Sequence, residues 1–208
     1  MEASINEIGR TYHASTSLLG WLFMVFMGGF FFAMILGGRH ADKHRKLPAM
    51  LVSCILLAAG ACIFAWAPSF PMALLAMLVM GIGGGLGEGL AVVVISDIYP
   101  DDSRTAMLNW SQVMYAIGAV LGPSVMHLIL RIGISWRVGL IVTAIISVMS
   151  ALITCLGIAT RREMPVRHDQ QPGHWREVIH DPIVFWLAMG ILLYVGQEMG
   201  QASWLAAY

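Results

Sequence analysis

Apolar residues along this chain gather into six long runs, at about 17–38, 49–67, 72–96, 106–130, 138–160 and 182–208. Charged, polar or helix-breaking residues separate them: Arg39 to Pro48, Pro68 to Pro71, Tyr99 to Arg104, Arg131 to Arg137, and a longer polar segment at 161–181. A bilayer core of about 30 Å takes roughly 20 apolar residues of α-helix, and each run is of that order. Strands of an outer-membrane barrel would instead alternate apolar and polar positions over about ten residues. These runs, rich in Gly and Met, do not alternate, so the pattern predicts six transmembrane helices. Residues 1–16 are polar and lack the basic-then-apolar design of a signal peptide.

Composition narrows the picture. Of 208 residues, 58% are hydrophobic and 12% charged, about half the charged fraction of an ordinary soluble domain. Twelve basic residues balance twelve acidic ones, which leaves no basic surplus for phosphate and no expectation of a nucleic-acid partner. Cys54, Cys62 and Cys155 sit inside apolar runs without C-x-x-C spacing and read as small buried hydrophobes, not as a disulfide framework or a metal site. Basic residues concentrate on cytoplasmic loops. Placing the 39–48 loop inside also puts Arg39, Lys43, Arg45, Lys46, Arg104, Arg161, Arg162, Arg167 and Arg176 there, and leaves Arg10, Arg131 and Arg137 outside. Residue 1 is then outside. The expectation that follows is a further helix upstream, with 1–16 as the extracytoplasmic loop after it and 161–181 as a central cytoplasmic loop.

Ionisable groups inside hydrocarbon cost several kcal/mol, so each is a functional hypothesis. Glu88 stands in the third run among Gly81, Gly83, Gly84, Gly85, Gly87 and Gly89. Those glycines admit close approach of a neighbouring helix or a local bend. Desolvation favours the neutral form of a carboxyl, which suits Glu88 either to a structural hydrogen bond or to loading and releasing a proton. In the fourth run Asn109, Gln112 and Tyr115 recur at three-residue steps, a polar stripe fit for a hydroxylated ligand or for interhelical hydrogen bonds. The last run carries Tyr194, Gln197, Glu198, Gln201 and Trp204 at helical spacing. An interfacial aromatic belt accounts for Trp204 but not for Glu198. His127, near the outer end of the fourth run, reads as a satisfied or water-facing histidine. No G-x-S-x-G, H-E-x-x-H or phosphate-binding loop is present, so an enzyme is not expected, and neither is a metal or cofactor.

The segment Gly38-x-x-x-Asp42-Lys43-x-Arg45-Lys46 resembles the loop between the second and third helices of the major facilitator superfamily, G-x-x-x-D-R-x-G-R-K, without its second glycine. That resemblance makes 17–38 the second helix of the family fold and 182–208 the seventh. Glu88 in a glycine-rich fourth helix, Arg104 with Asn109 and Gln112 leading to Gly118 and Gly122-Pro123, and Tyr194 to Trp204 in the seventh are similar to the fucose and glucose permease-like sugar:proton symporters. The resemblance implies an all-α integral membrane protein, a major facilitator-type bundle with six of twelve expected helices present: 17–160 in the N-terminal half and 182–208 opening the C-terminal half. It further implies a monomeric, multi-pass protein of the plasma (inner) membrane that moves a small solute with protons. By that resemblance Glu88 is the proton-binding carboxyl, and Asn109 and Gln112 are sugar contacts. From the residues themselves Glu198 is a second candidate proton carrier, Tyr115, Tyr194, Gln197, Gln201 and Trp204 are further candidate solute contacts, and Gly38, Asp42, Lys43, Arg45, Lys46, Asp97 and Arg104 a candidate cytoplasmic gate. A drug or metabolite:proton exporter, and a non-transporting membrane subunit, are the alternatives.

Overall fold

The computed structural model describes residues 5–41, 46–160 and 189–190. Its element order is α1 (Ile5–Tyr12), α2 (Thr16–Ala41), α3 (Lys46–Ala65), α4 (Phe70–Ile98), α5 (Asp101–Arg131) and α6 (Arg137–Thr160). These helices fall within one compact unit, Ala3–Met164; of a second, Pro165–Tyr208, only residues 189–190 are described, and they are helical. No strand occurs among the described residues. Helices α2 to α6 are each long and apolar enough to cross a bilayer, and they overlie the first five predicted runs. The sixth, 182–208, lies outside the described residues apart from 189–190.

Several helices outrun their apolar stretches. Helix α4 begins with Pro71 in its first turn, where a missing N–H removes no bond. Helix α5 starts at Asp101, with Pro100 as N-cap and Asp102 in the first turn, where a carboxylate complements the helix dipole. On the positive-inside reading, Tyr12, the 66–69 turn and the 132–136 turn mark the outer end of the bundle. Two helices stop there in the same way. His13 after α1 and Gly133 after α5 take left-handed backbone (φ 49° and 77°), and Ala14 and Ile134 donate back to the carbonyls of Gly9 and Ile129 at 3.0 and 3.1 Å, the 6→1 bond of a Schellman cap.

The bundle is inverted relative to a soluble core. Large apolar side chains point outward, Phe32 at 67% exposure and Ile153 at 68% among them, while Ala61, Ala73 and Ala76 are fully buried. Lipid is as apolar as leucine, so close packing between small residues holds such helices together. Helix α4 is the hub, packed on α2 and α3, with α6 packed on α3. A Cβ added at Gly81 or Gly85 would overlap the carbonyl oxygens of Phe26 or Phe30 in α2. One added at Gly83 would sit 2.7 Å from Leu57 N and 2.9 Å from Ser53 O of α3. The glycines therefore serve close approach, and α4 runs through them without a break.

The 1–16 segment, read from sequence as a loop, contains α1. Its Ile8 is 1% exposed and packs with Leu19, Leu22, Phe64, Ala73, Met77 and Trp136 at the outer end.

Candidate functional site

Two faces of α4 can be told apart by what covers them. Gly81, Gly85 and Gly89 recur every fourth residue and meet α2; Gly83 and Gly87 meet α3. Met77, Gly84 and Glu88, at i, i+7 and i+11, lie between these two, Glu88 at i+7 from Gly81; the Phe30 and Phe26 rings of α2 border Gly84, and Met80 packs on Gly60 of α3. Met77 and Met80 line a cavity of about 560 Å³ bounded by α5 and α6 through Gly118, Met126, Gly139 and Thr143. Glu88 lies farther in, about 27 Å along the helix from Phe70 and about 15 Å from Ile98 at 1.5 Å per residue. It is half-buried. One turn outward, a Cβ at Gly84 would meet the Phe30 ring at 3.3 Å, so an aromatic wall flanks the approach to the carboxyl. Such an arrangement holds one half-buried ionisable group at membrane depth beside an aromatic residue of α2.

The polar stripe of α5 is placed differently. Asn109, Gln112 and Tyr115 are all exposed, and no residue in the apolar stretch of α5 is buried. Among the described residues no hydrogen bond or ion pair joins Glu88 to Asn109 or Gln112. Helix α5 contacts α4 and α6 only slightly. It meets α6 near its outer end, where a Cβ on Gly139 would come within 2.6 Å of the Met126 sulfur. Pro123 lies within α5, and Gly118 and Gly122 have nothing within 4 Å of an added Cβ. His127 is exposed.

At the inner end Lys46 Nζ and Asp97 Oδ2 form an ion pair, with side chains 14% and 20% exposed. Each charge sits at the unfavourable end of its own helix, a cation at the start of α3 and an anion at the end of α4. Their pairing offsets both penalties and ties the two helices across 51 residues of sequence. Arg104 is half-buried one turn into α5. Gly38 is in α2, whereas Asp42, Lys43 and Arg45 lie outside the described residues, as do Tyr194, Gln197, Glu198, Gln201 and Trp204. No group of three or more His, Cys, Asp or Glu fit to hold a metal occurs among the described residues.

Sequence reasoning missed the outer-end contacts of α1 and Trp136. The available signal was the i, i+3, i+7 spacing of Ile5, Ile8 and Tyr12, an amphipathic stripe too short to stand out in a polar segment.

Residues 3–208 match the Major Facilitator Superfamily. "Probable polyol transporter 4" of Arabidopsis thaliana is 30% identical over 127 residues, covering 60% of this chain and 24% of that protein. The "multidrug resistance protein MdtL" of Klebsiella pneumoniae (strain 342) is 27% identical over 124 residues, 60% of this chain and 32% of that one. The solved proton:xylose symporter XylE, bound to 6-bromo-6-deoxy-D-glucose, superposes with a TM-score of 0.67 at 19% identity, covering 78% of this chain and 40% of that chain. The chain thus spans between about a quarter and two fifths of the length of these proteins.

Proposed function

The chain belongs to the major facilitator superfamily, and from that premise we propose that it contributes helices two to seven of a twelve-helix secondary transporter, moving a sugar, polyol or similar hydroxylated solute together with protons. The observation that carries this reading is Glu88, a half-buried ionisable residue at membrane depth in α4, with the Phe30 ring of α2 one turn outward. The polyol transporter relative supports the solute class, and the fucose and glucose permease-like symporters are the branch we assign. In this scheme Glu88 takes a proton from outside, and Glu198 is a second carrier. The solute bonds to Asn109, Gln112 and Tyr115 together with Tyr194, Gln197, Gln201 and Trp204. The two halves then rock about the midplane site, as in other transporters of alternating access. Gly38, Asp42, Lys43, Arg45 and Arg104, with the Lys46–Asp97 pair, form the inner gate. The working form is a monomer in the plasma (inner) membrane.

In the full-length transporter, Glu88→Gln is expected to abolish proton-driven accumulation while leaving solute exchange at equilibrium intact, because the variant keeps the shape and loses the titratable site. Undiminished uphill uptake by that variant would remove Glu88 from coupling. The drug-resistance relative supports a second reading, a proton-driven exporter with the same carboxyl. Direction separates the two: an exporter moves solute against an inward proton gradient.

A further inference from the structure

The two ends of the described bundle are built differently, and the outer end carries a connected set of polar contacts around an apolar plug. Trp136, 3% exposed, donates from its indole Nε1 to Thr11 Oγ1 at 3.2 Å, and the Thr11 hydroxyl donates on to the Glu7 carbonyl at 2.8 Å. The Tyr12 hydroxyl donates to the Ala67 carbonyl at 2.9 Å, and Arg137 Nε donates to the Ala65 carbonyl at 2.9 Å. Ala65 closes α3, and the last four carbonyls of a helix lack partners within it; a cation there is also favoured by the dipole. Thus the start of α6 bonds to the end of α3, and α1 to the turn that follows it. The aromatic rings lock the same place: Trp136 lies 5.5 Å from Phe64 and 6.4 Å from Tyr12, and Tyr12 lies 6.2 Å from Phe70, centroid to centroid. The Arg137 guanidinium stands 4.7 Å over the Trp136 ring. Beneath them Ile8 and Phe64 are each 1% exposed and touch α2, α4 and the Trp136 ring within one cluster.

We propose that α1, Trp136 and Arg137 form an extracytoplasmic clasp that makes the outer ends of α2, α3, α4 and α6 a single mechanical unit. Every one of those four helices contributes a side chain or carbonyl to it, through hydrogen bonds of 2.8–3.2 Å and ring contacts set around a buried apolar cluster. Chains of such bonds reinforce one another, so loss of one link is felt at the others. The clasp does not depend on which solute is carried, or on whether Glu88 carries the proton.

Amide hydrogen exchange on the 208-residue chain in phosphatidylcholine–phosphatidylglycerol nanodiscs tests it, with two conservative variants. Trp136→Phe deletes the bond to Thr11 and shrinks the ring packed on Phe64, Tyr12 and Arg137; Tyr12→Phe keeps its ring and deletes only the bond to Ala67. A single lost hydrogen bond raises local opening by about fivefold. If the ends are one unit, Tyr12→Phe raises exchange by about that factor, and Trp136→Phe by at least as much, in both 5–12 and 66–73, while 46–50 at the inner end keeps its rate. The proposal is overturned if Trp136→Phe loosens only α1 and leaves 66–73 at the wild-type rate, or if neither variant changes exchange at the outer end.

Discussion

Glu88 and Tyr12 are polar residues whose surroundings do opposite things. Glu88 was legible from sequence because a carboxyl among glycines and valines contradicts its setting. Tyr12 was not, because a tyrosine in a polar segment contradicts nothing; its role appears only when Ala67, 55 residues away, comes within bonding distance. Burial pushes the Tyr12 hydroxyl above its ordinary range, and the nearby Arg137 charge partly opposes the shift. A group whose folded pKa is raised contributes stability that is complete below its unfolded value, about 10 for tyrosine, and is lost as pH climbs through the folded value. Thermal unfolding of the wild type is therefore expected to fall more steeply above about pH 10 than that of Tyr12→Phe; parallel curves would show that the hydroxyl is not held as described. For the proposed solute contacts, Asn109→Ala and Gln112→Ala in the full-length transporter are each expected to weaken solute binding by about 1 kcal/mol, the net worth of one hydrogen bond. Calorimetric titration checks this, and unchanged affinity in both would take α5 out of the site.

Among the helices, existence was written in the chain and function of the glycines was not. Apolar runs of bilayer length fixed where α2 to α6 lie, within a few residues, since no other structure satisfies the backbone in lipid. The runs left open whether Gly81, Gly83, Gly85, Gly87 and Gly89 bend α4 or admit neighbours. The packed α2 and α3 backbones decide for close approach. The same composition has a different meaning in α5, where Gly118 meets nothing within 4 Å. Gly85→Ala is expected to destabilise the bundle by about 1–3 kcal/mol through overpacking against Phe30. Gly118→Ala is expected to be neutral or to stabilise by up to about 1 kcal/mol, because alanine loses less backbone entropy in a helix. Melting temperatures of the two variants in one detergent check the contrast, and equal effects would mean that the α2–α4 interface is not as tight as described. Helix α1 went unread for a related reason: its amphipathic stripe is only eight residues long, too short to outweigh a polar composition.

For the whole molecule, family and architecture were recoverable because the Gly38 to Lys46 segment and the order of the runs are properties of the chain itself. The assembled site was not, because its proposed members are spread over α4, α5 and 182–208, and spacing within one helix says nothing about which faces meet. The described helices supply one half-buried carboxyl at membrane depth, one exposed polar stripe and one inner ion pair. In the proposed function a coupled movement of solute and proton joins them. That coupling is tested most directly with a pH electrode, on the full-length transporter in lightly buffered vesicles, as sugars and polyols are added outside. The expected result is alkalinisation of the medium on addition of the transported solute, absent in Glu88→Gln. Acidification on solute addition, or uptake of solute with no proton movement, would contradict it.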